Sequence, residues 1–276
     1  EFCLKNSIST PNGFYYTDYL NLNNIEFPIT IKPTNLSGGR GVDIVDNLMD
    51  LKKSLLKAKE ISDKIFLEDY IDGELIAYSV VIKDRKIAYS FTGADGTYKN
   101  RYLITSAYPI QLELVTKNKL QEDVEKLSKL LSLVDGMFHL QVIIRDRVPY
   151  IIDVTRRIPG DFYPYLMEYC DTIEYSKAVV KSYIGEPLDG ELTVAEEKKF
   201  VIRHCVMSDK NGIFKEIQID KSLKNNIIFR IDLKDKNTKI TNFLTDQIAI
   251  IFIHILAEDR YIVDNINKLI HPVVIA

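Results

Sequence analysis

Pro28-Ile-Thr-Ile-Lys-Pro-Thr-Asn-Leu-Ser-Gly-Gly-Arg-Gly-Val42 reads as a short strand running into a glycine-rich loop. Ile29 and Ile31 flank Thr30 with the two-residue period of a half-buried strand. Lys32 stands at the strand's end, and Pro33 cannot donate to a ladder through its own nitrogen. Ser37, Gly38, Gly39, Arg40 and Gly41 follow. Glycine lets backbone N–H groups converge on an anion, because no Cβ blocks positive φ or a close approach. A lysine beside such a loop is the fixed cation that a nucleoside triphosphate needs. The stretch is not a P-loop, which ends in Gly-Lys-Ser/Thr before a helix, nor a G-x-G-x-x-G dinucleotide turn. Taken alone, the same letters also suit a plain hairpin turn, with residues 41–45 as its second strand.

A second hairpin runs from His139-Leu-Gln141 to Asp153-Val-Thr155-Arg-Arg157, turning at Arg145-Asp146-Arg147. Alternation puts Asp153 and Thr155 on one face, and a turn centred near residue 147 sets Gln141 opposite Asp153. Three oxygen donors converging on one sheet face suit Mg²⁺, with phosphates and water completing an octahedron. A solvated polar sheet face explains the same pattern. Arg156 and Arg157 leave the strand where an arginine can grip phosphate oxygens bidentately, or simply form a surface ion pair. The third stretch is Glu68-Asp69-Tyr70-Ile71, followed by Gly73-Glu74. A strand end there frees backbone groups for an adenine edge and places carboxylates near ribose hydroxyls; an ordinary strand-to-turn junction uses the same residues.

The formal net charge of −3 offers no general attraction to nucleic acid or anionic lipid. Three cysteines and four histidines are scattered without metal-ligand spacing, which fits free thiols in a reducing, cytoplasmic setting. The longest apolar run, residues 248–257, is too short for a bilayer span and contains His254. The first residue is Glu1, so the chain is expected to begin inside a longer protein.

The periodicities predict helices over residues 48–60, 119–133, 161–170, 173–184 and 259–269. Strands are expected over 65–71, 75–82, 86–92, 138–144, 148–154, 200–206, 214–219, 227–233 and 248–255. Residues 93–109, with Lys99 and Arg101, read as a polar irregular stretch. Mixed order of strands and helices argues an α+β fold with antiparallel sheets. Gly185-Glu-Pro-Leu-Asp-Gly190 reads as a boundary.

The order of the three stretches resembles the ATP-grasp superfamily, most closely its carboxylate–amine ligases and the carbamoyl phosphate synthase and biotin carboxylase group. The resemblance implies an ATP-grasp fold: a remnant of an N-terminal region (1–13), a lid subdomain (14–72), a second subdomain with the metal hairpin (73–190) and a small C-terminal α+β subdomain (191–276). ATP would be clasped between antiparallel sheets. Lys32 would hold the α- and β-phosphates, and Ser37, Gly38, Gly39, Arg40 and Gly41 would form the lid loop. Residues Glu68, Asp69, Tyr70 and Ile71 would be the adenine hinge, through the Asp69 carbonyl and the Ile71 amide, with Glu74 on the ribose. Gln141, Asp153 and Thr155 fall on magnesium-ligand positions, where Mn²⁺ would also serve, and Arg157 on the residue that steadies the γ-phosphate and acyl phosphate. Lys99, Arg101 and Arg156 are candidates for the substrate carboxylate.

The implied reaction is ATP- and Mg²⁺-dependent C–N bond formation between a small carboxylate and an amine, through an acyl phosphate. The resemblance leaves room for a homodimer. It also admits a non-catalytic nucleotide-binding module, or a carbamoyl phosphate synthase-like or biotin carboxylase-like enzyme. Two departures stand out. The family's Glu-x-Asn is here Asp153-Val-Thr155, so Asp153 is the single negative ligand. The family's N-terminal domain, one wall of its active site, would lie upstream of Glu1.

Overall fold

The computed structural model describes residues 2–36, 39–188, 190–256 and 259–275. A short helix α1 (Phe2–Lys5) leads to a small antiparallel sheet of β1 (Gly13–Tyr15), β2 (Ile29–Pro33), β3 (Asp43–Val45) and β4 (Ile65–Asp69), in the order β1-β4-β2-β3. Between β3 and β4 runs α2 (Leu48–Ile61), which starts on Asn47, whose side chain accepts from the Asp50 amide. Its Leu51, Leu55 and Ala58 recur at helical spacing and pack on Ile29, Ile31 and Leu67, leaving the other sheet face free.

The large sheet takes β5 (Glu74–Lys83), β6 (Lys86–Tyr98), β7 (Asn100–Pro109), β8 (Gly136–Arg145) and β9 (Val148–Thr155) from the first part of the chain. Helices α3 (Leu114–Leu130), α4 (Tyr163–Asp171) and α5 (Tyr175–Ile184) lie along it. Then follow β10 (Phe200–Met207), β11 (Gly212–Ile219), β12 (Ile227–Asp232), β13 (Lys239–Ile240), β14 (Gln247–Ile255), α6 (Tyr261–Leu269) and β15 (Ile270–Ile275). The eight-stranded order is β12-β14-β10-β7-β6-β5-β8-β9, and β13-β11-β15 form a small third sheet. On one face α3 sets Leu120, Val124 and Leu127 against Tyr78, Leu140 and Val142. On the other, α4 and α5 cover Ala77, Phe91 and Ala107 with Tyr163, Leu166 and Tyr175.

Three expectations change. Residues 93–109 are regular: β6 extends to Tyr98 and pairs with β7 through register shifts at Gly96 and Thr97. The stretch reads as irregular because its cleft-side residues are small or polar and the bulges break the alternation. The helix expected at 119–133 occupies Leu114–Leu130, its first turn held by the Thr116 hydroxyl donating to the Arg147 carbonyl. The helix expected from residue 161 starts at Tyr163, because Asp161 and Phe162 both take positive φ. The large sheet also runs across the 190/191 division: β10 pairs with β7 on one side and β14 on the other. Among the described residues no helix is long and apolar enough to cross a membrane.

Two measurements check this packing. Leu67→Ala opens a cavity between α2 and the small sheet and is expected to cost about 2–5 kcal/mol in urea unfolding, whereas Leu56→Ala on the exposed side of α2 changes little. His204 points from β10 into the core beside α6, and burial, aided by Arg203 and opposed by the Ile270 backbone, pushes its pKa down to about 4. A pKa below the unfolded value means the unfolded chain takes up a proton that the folded chain refuses. That contribution is intact above the unfolded pKa and is lost as pH falls toward 4. His204→Leu should therefore flatten the loss of stability between pH 7 and pH 5 by roughly 2 kcal/mol relative to the parent.

Candidate active site

β2 and β4 present Lys32 and Glu68 on the face of the small sheet that α2 leaves open. In register Lys32 lies opposite Phe66, and Glu68 opposite Thr30. The Lys32 ammonium forms a short ion pair with the Glu68 carboxylate and donates to the Ile152 carbonyl at 3.5 Å. Ile152 belongs to β9, so one side chain spans the gap between the two sheets. Burial pushes the Glu68 carboxyl above its usual range; Lys32 opposes this, while the charges of Asp69 and Asp153 add to it.

The β8–β9 hairpin explains why Ile152 is available. Gln141 lies opposite Asp153, but Val142 lies opposite Ile151, so Ile152 is an extra residue on β9. Such a bulge leaves one residue outside the ladder and resets which face its successors take. Ile151 faces the α3 core. Strict alternation would send Asp153 there too; the bulge instead turns Asp153 and Thr155 to the face that carries Gln141 and His139. Asp153 is exposed and accepts from the Val154 amide at 2.9 Å. The His139 ring sits 2.8 Å from the Ser79 hydroxyl and edge-on to Tyr163, with centroids 5.7 Å apart. Burial, and then the charge of Arg157, push its pKa down to about 4, so the ring is neutral at pH 7. His139 is the residue that sequence reasoning named but gave no task; its spacing of two from Gln141 was the available signal.

Gly39 and Gly41 take φ of +70° and +75°. A Cβ on Gly39 would fall 2.6 Å from the Tyr102 carbonyl oxygen, and one on Gly41 2.7 Å from Ile61 Cδ1. Both positions therefore require glycine, and the loop rests on β7. Arg40 is exposed, and Ser37 and Gly38 lie outside the described residues. At the hinge, the Asp69 amide donates to the Asn12 carbonyl at 2.9 Å and the Tyr70 amide to Pro28 at 3.4 Å. The Ile71 amide has no backbone partner among the described residues.

Not all expected residues gather. Glu74 lies opposite Ile144 at the start of β5, three residues from Ala77, which lies opposite Gln141. An odd separation puts Glu74 on the α3 face, where it lines a hollow with Gln111 and Arg147. Leu75 holds the cleft-side position. Lys99 and Arg101 cap the β6–β7 hairpin, Lys99 over the Tyr98 ring at 5.3 Å and Arg101 over Tyr102 at 5.6 Å. Arg156 turns away, donating to the carbonyls of Val134 at 2.9 Å and Asp135 at 3.2 Å. Arg157 is exposed at the mouth of the site, with Nη1 donating to the Ile158 carbonyl at 3.1 Å.

A family profile described as "D-ala D-ala ligase C-terminus" matches residues 19–160, a span that includes Lys32, Glu68–Ile71 and the β8–β9 hairpin. The chain belongs to this ATP-grasp family. Its likeness to the D-alanine–D-alanine ligase of Wigglesworthia glossinidia brevipalpis is 28% identity over 161 residues, covering 52% of this chain and 42% of that one. The chain thus spans less than half the length of that relative. The L-amino acid ligase of Bacillus licheniformis superposes with a TM-score of 0.79 at 19% identity, covering 99% of this chain and 70% of that one. The biotin carboxylase domain of Hydrogenobacter thermophilus 2-oxoglutarate carboxylase, in complex with MgADP and bicarbonate, gives 0.71 at 14%, covering 99% and 65%. These two likenesses show the ATP-grasp fold, with its α+β layers and antiparallel sheets.

The Lys32–Glu68 pair gives the sharpest local test. Lys32→Met leaves a buried carboxylate without its cation and should lower stability by about 3–5 kcal/mol. Adding Glu68→Gln should recover much of that loss, a non-additivity read directly from urea midpoints of the single and double variants.

Proposed function

We propose that this chain is the ATP-binding and catalytic part of a ligase that activates a small carboxylate as an acyl phosphate for attack by an amine. One observation supports this above others: the lid-sheet ammonium of Lys32 crosses to the bulged strand that turns Asp153 toward Gln141. A triphosphate entering there would meet a cation on one side and oxygen donors on the other. Lys32 would leave Glu68 in part for the phosphates, Arg157 would steady the transferring phosphoryl group, and the Ile71 amide and Asp69 carbonyl would read the adenine. The γ-phosphoryl group passes to the carboxylate oxygen and ADP leaves. The amine then attacks the acyl carbon and the C–O bond to phosphate breaks. The glycine loop, seated on Tyr102, would exclude the water that hydrolyses the intermediate.

Gln141, Asp153 and Thr155 supply only oxygen, the donor set of a hard cation, and fit a magnesium ion held jointly with phosphates. Bound there, magnesium would neutralise charge on the transferring phosphoryl group. Among the described residues no group of three His, Cys, Asp or Glu side chains could hold a metal without such help. That single carboxylate favours a second reading, a module that binds nucleotide without turnover. Small-molecule acid and amine substrates belong to the proposal, as does a cytoplasmic setting, which the three free thiols support.

The test is release of ADP and phosphate by the full-length protein with ATP, Mg²⁺ and paired acids and amines. Turnover should fall at least about tenfold in Asp153→Asn, and ATP affinity about 10- to 100-fold in Lys32→Met. ATP binding without Mg²⁺-dependent turnover over the whole screen would establish the binding module instead.

A further inference from the structure

The run of chain that follows α1 closes one edge of the β8–β9 hairpin. β9 is the last strand of the large sheet, so its outer side has no neighbouring strand. At Ile151 that side is filled all the same. The Ile151 amide donates to the Ser9 carbonyl at 3.0 Å, and the Thr10 hydroxyl donates to the Ile151 carbonyl at 2.8 Å. Among the described residues no other β9 amide donates to a backbone carbonyl outside the sheet. The next residue is Ile152, the extra residue of the bulge, whose carbonyl takes Lys32. Two successive carbonyls of β9 thus meet groups from outside the sheet, the first Thr10 and the second Lys32.

The clamp on Ile151 is anchored from behind. The Ser9 amide donates at 3.3 Å to Asp123 of α3, a carboxylate 2% exposed whose other oxygen accepts from Lys119 at 2.6 Å. Burying a carboxylate is costly on a helix face that otherwise packs Leu120, Val124 and Leu127, and the ligase chemistry above gives Asp123 no task. Beyond Thr10 the run is tied to the lid sheet. The Asn12 carbonyl accepts from the Asp69 amide and its Nδ2 donates to the Asp69 carboxylate, both at 2.9 Å. Thr10 and Asn12 are at most about 7 Å apart at their Cα atoms, and Pro11 between them has a fixed φ. One short strap thus joins the bulged strand to the strand that carries Glu68.

The consequence is positional. Ile151 is the last β9 residue with a buried side chain; Asp153 and Val154 are exposed, and Ile152 and Thr155 half-buried. Register is weakly specified where no side chain is buried. A one-residue slip past Ile151 would exchange the faces of Asp153 and Val154 and carry the Ile152 carbonyl away from Lys32. Filling both polar groups of Ile151 pins the residue before the bulge and opposes that slip.

We infer that Thr10 is a positioning residue for the nucleotide and magnesium site: with Ser9 held by Asp123, it fixes the bulge at Ile152 and, through it, the places of Lys32 and Asp153. The inference rests on the ligase reading above for the identity of the ligand.

The experiment uses the full-length protein and a non-hydrolysable ATP analogue, titrated calorimetrically with and without Mg²⁺, beside hydrogen exchange over residues 150–155. Thr10→Val keeps the shape of the side chain and removes the donor. It should cut the gain in analogue affinity that Mg²⁺ gives by about fivefold, the worth of one hydrogen bond, and speed exchange over 150–155 by a similar factor. Thr10→Ser, which restores the hydroxyl, should return both to within about twofold of the parent. Leu127→Ala opens a cavity in the same α3 core without touching the strap. It should lower the urea midpoint yet leave the Mg²⁺ gain unchanged, so lost stability by itself does not reproduce the effect. In Asp153→Asn, which lacks the carboxylate being placed, adding Thr10→Val should cost less than about twofold. The inference fails if Thr10→Val keeps the Mg²⁺ gain or the slow exchange, or if Thr10→Ser restores neither. It fails equally if Leu127→Ala loses as much, or if Thr10→Val costs the same with and without Asp153. A parent that binds no analogue would overturn the ligase reading and the role of Thr10 with it, whereas a parent and a Thr10→Val that bind alike would overturn this inference alone.

Discussion

The ammonium of Lys32 is the point on which the arrangement turns. It is held by Glu68 within its own sheet and by the Ile152 carbonyl of the other. Neither contact is strong by itself, since an ion pair at a cleft wall is offset by desolvation. Their value lies in position. A buried carboxylate keeps the charge at the cleft, and a carbonyl freed by a bulge gives it a second partner only while the sheets face each other. The same bulge turns Asp153 outward, so one irregularity on β9 arranges both walls.

Much of this was legible in the letters. The strand before the glycine loop, the helix on its back and a β8–β9 hairpin that brings Gln141 near Asp153 follow from spacing and turn chemistry. Those patterns are local, and local patterns survive translation into structure. The bulge at Ile152 was not legible, because an inserted residue in a strand needs no special side chain. Glu74 shows a related limit: Gly73-Glu74 matches a motif, but one residue of parity decides which face a strand side chain takes. The β6–β7 hairpin hid behind small and polar residues whose task is to line a cleft rather than fill a core.

The strap from Ser9 to Asn12 lay further out of reach. Its partners Asp123, Ile151 and Asp69 come from separate segments and meet it only in the folded chain. No window along the chain contains that adjacency, and a buried aspartate on the apolar face of a helix looks at first like an error in the pattern. Where local rules fail without an evident structural gain, a task for the residue is the first explanation to try.

The insertion of β10 has a practical side for anyone wishing to shorten the protein. A cut after residue 190, where glycines invite it, would pull three strands out of the sheet's broad wing and strip β7 of its neighbour along the outer flank. The remaining piece would show bare amides and carbonyls beside a stretch of uncovered apolar surface, an invitation to clump. The apparent seam in the chain is a poor place for scissors.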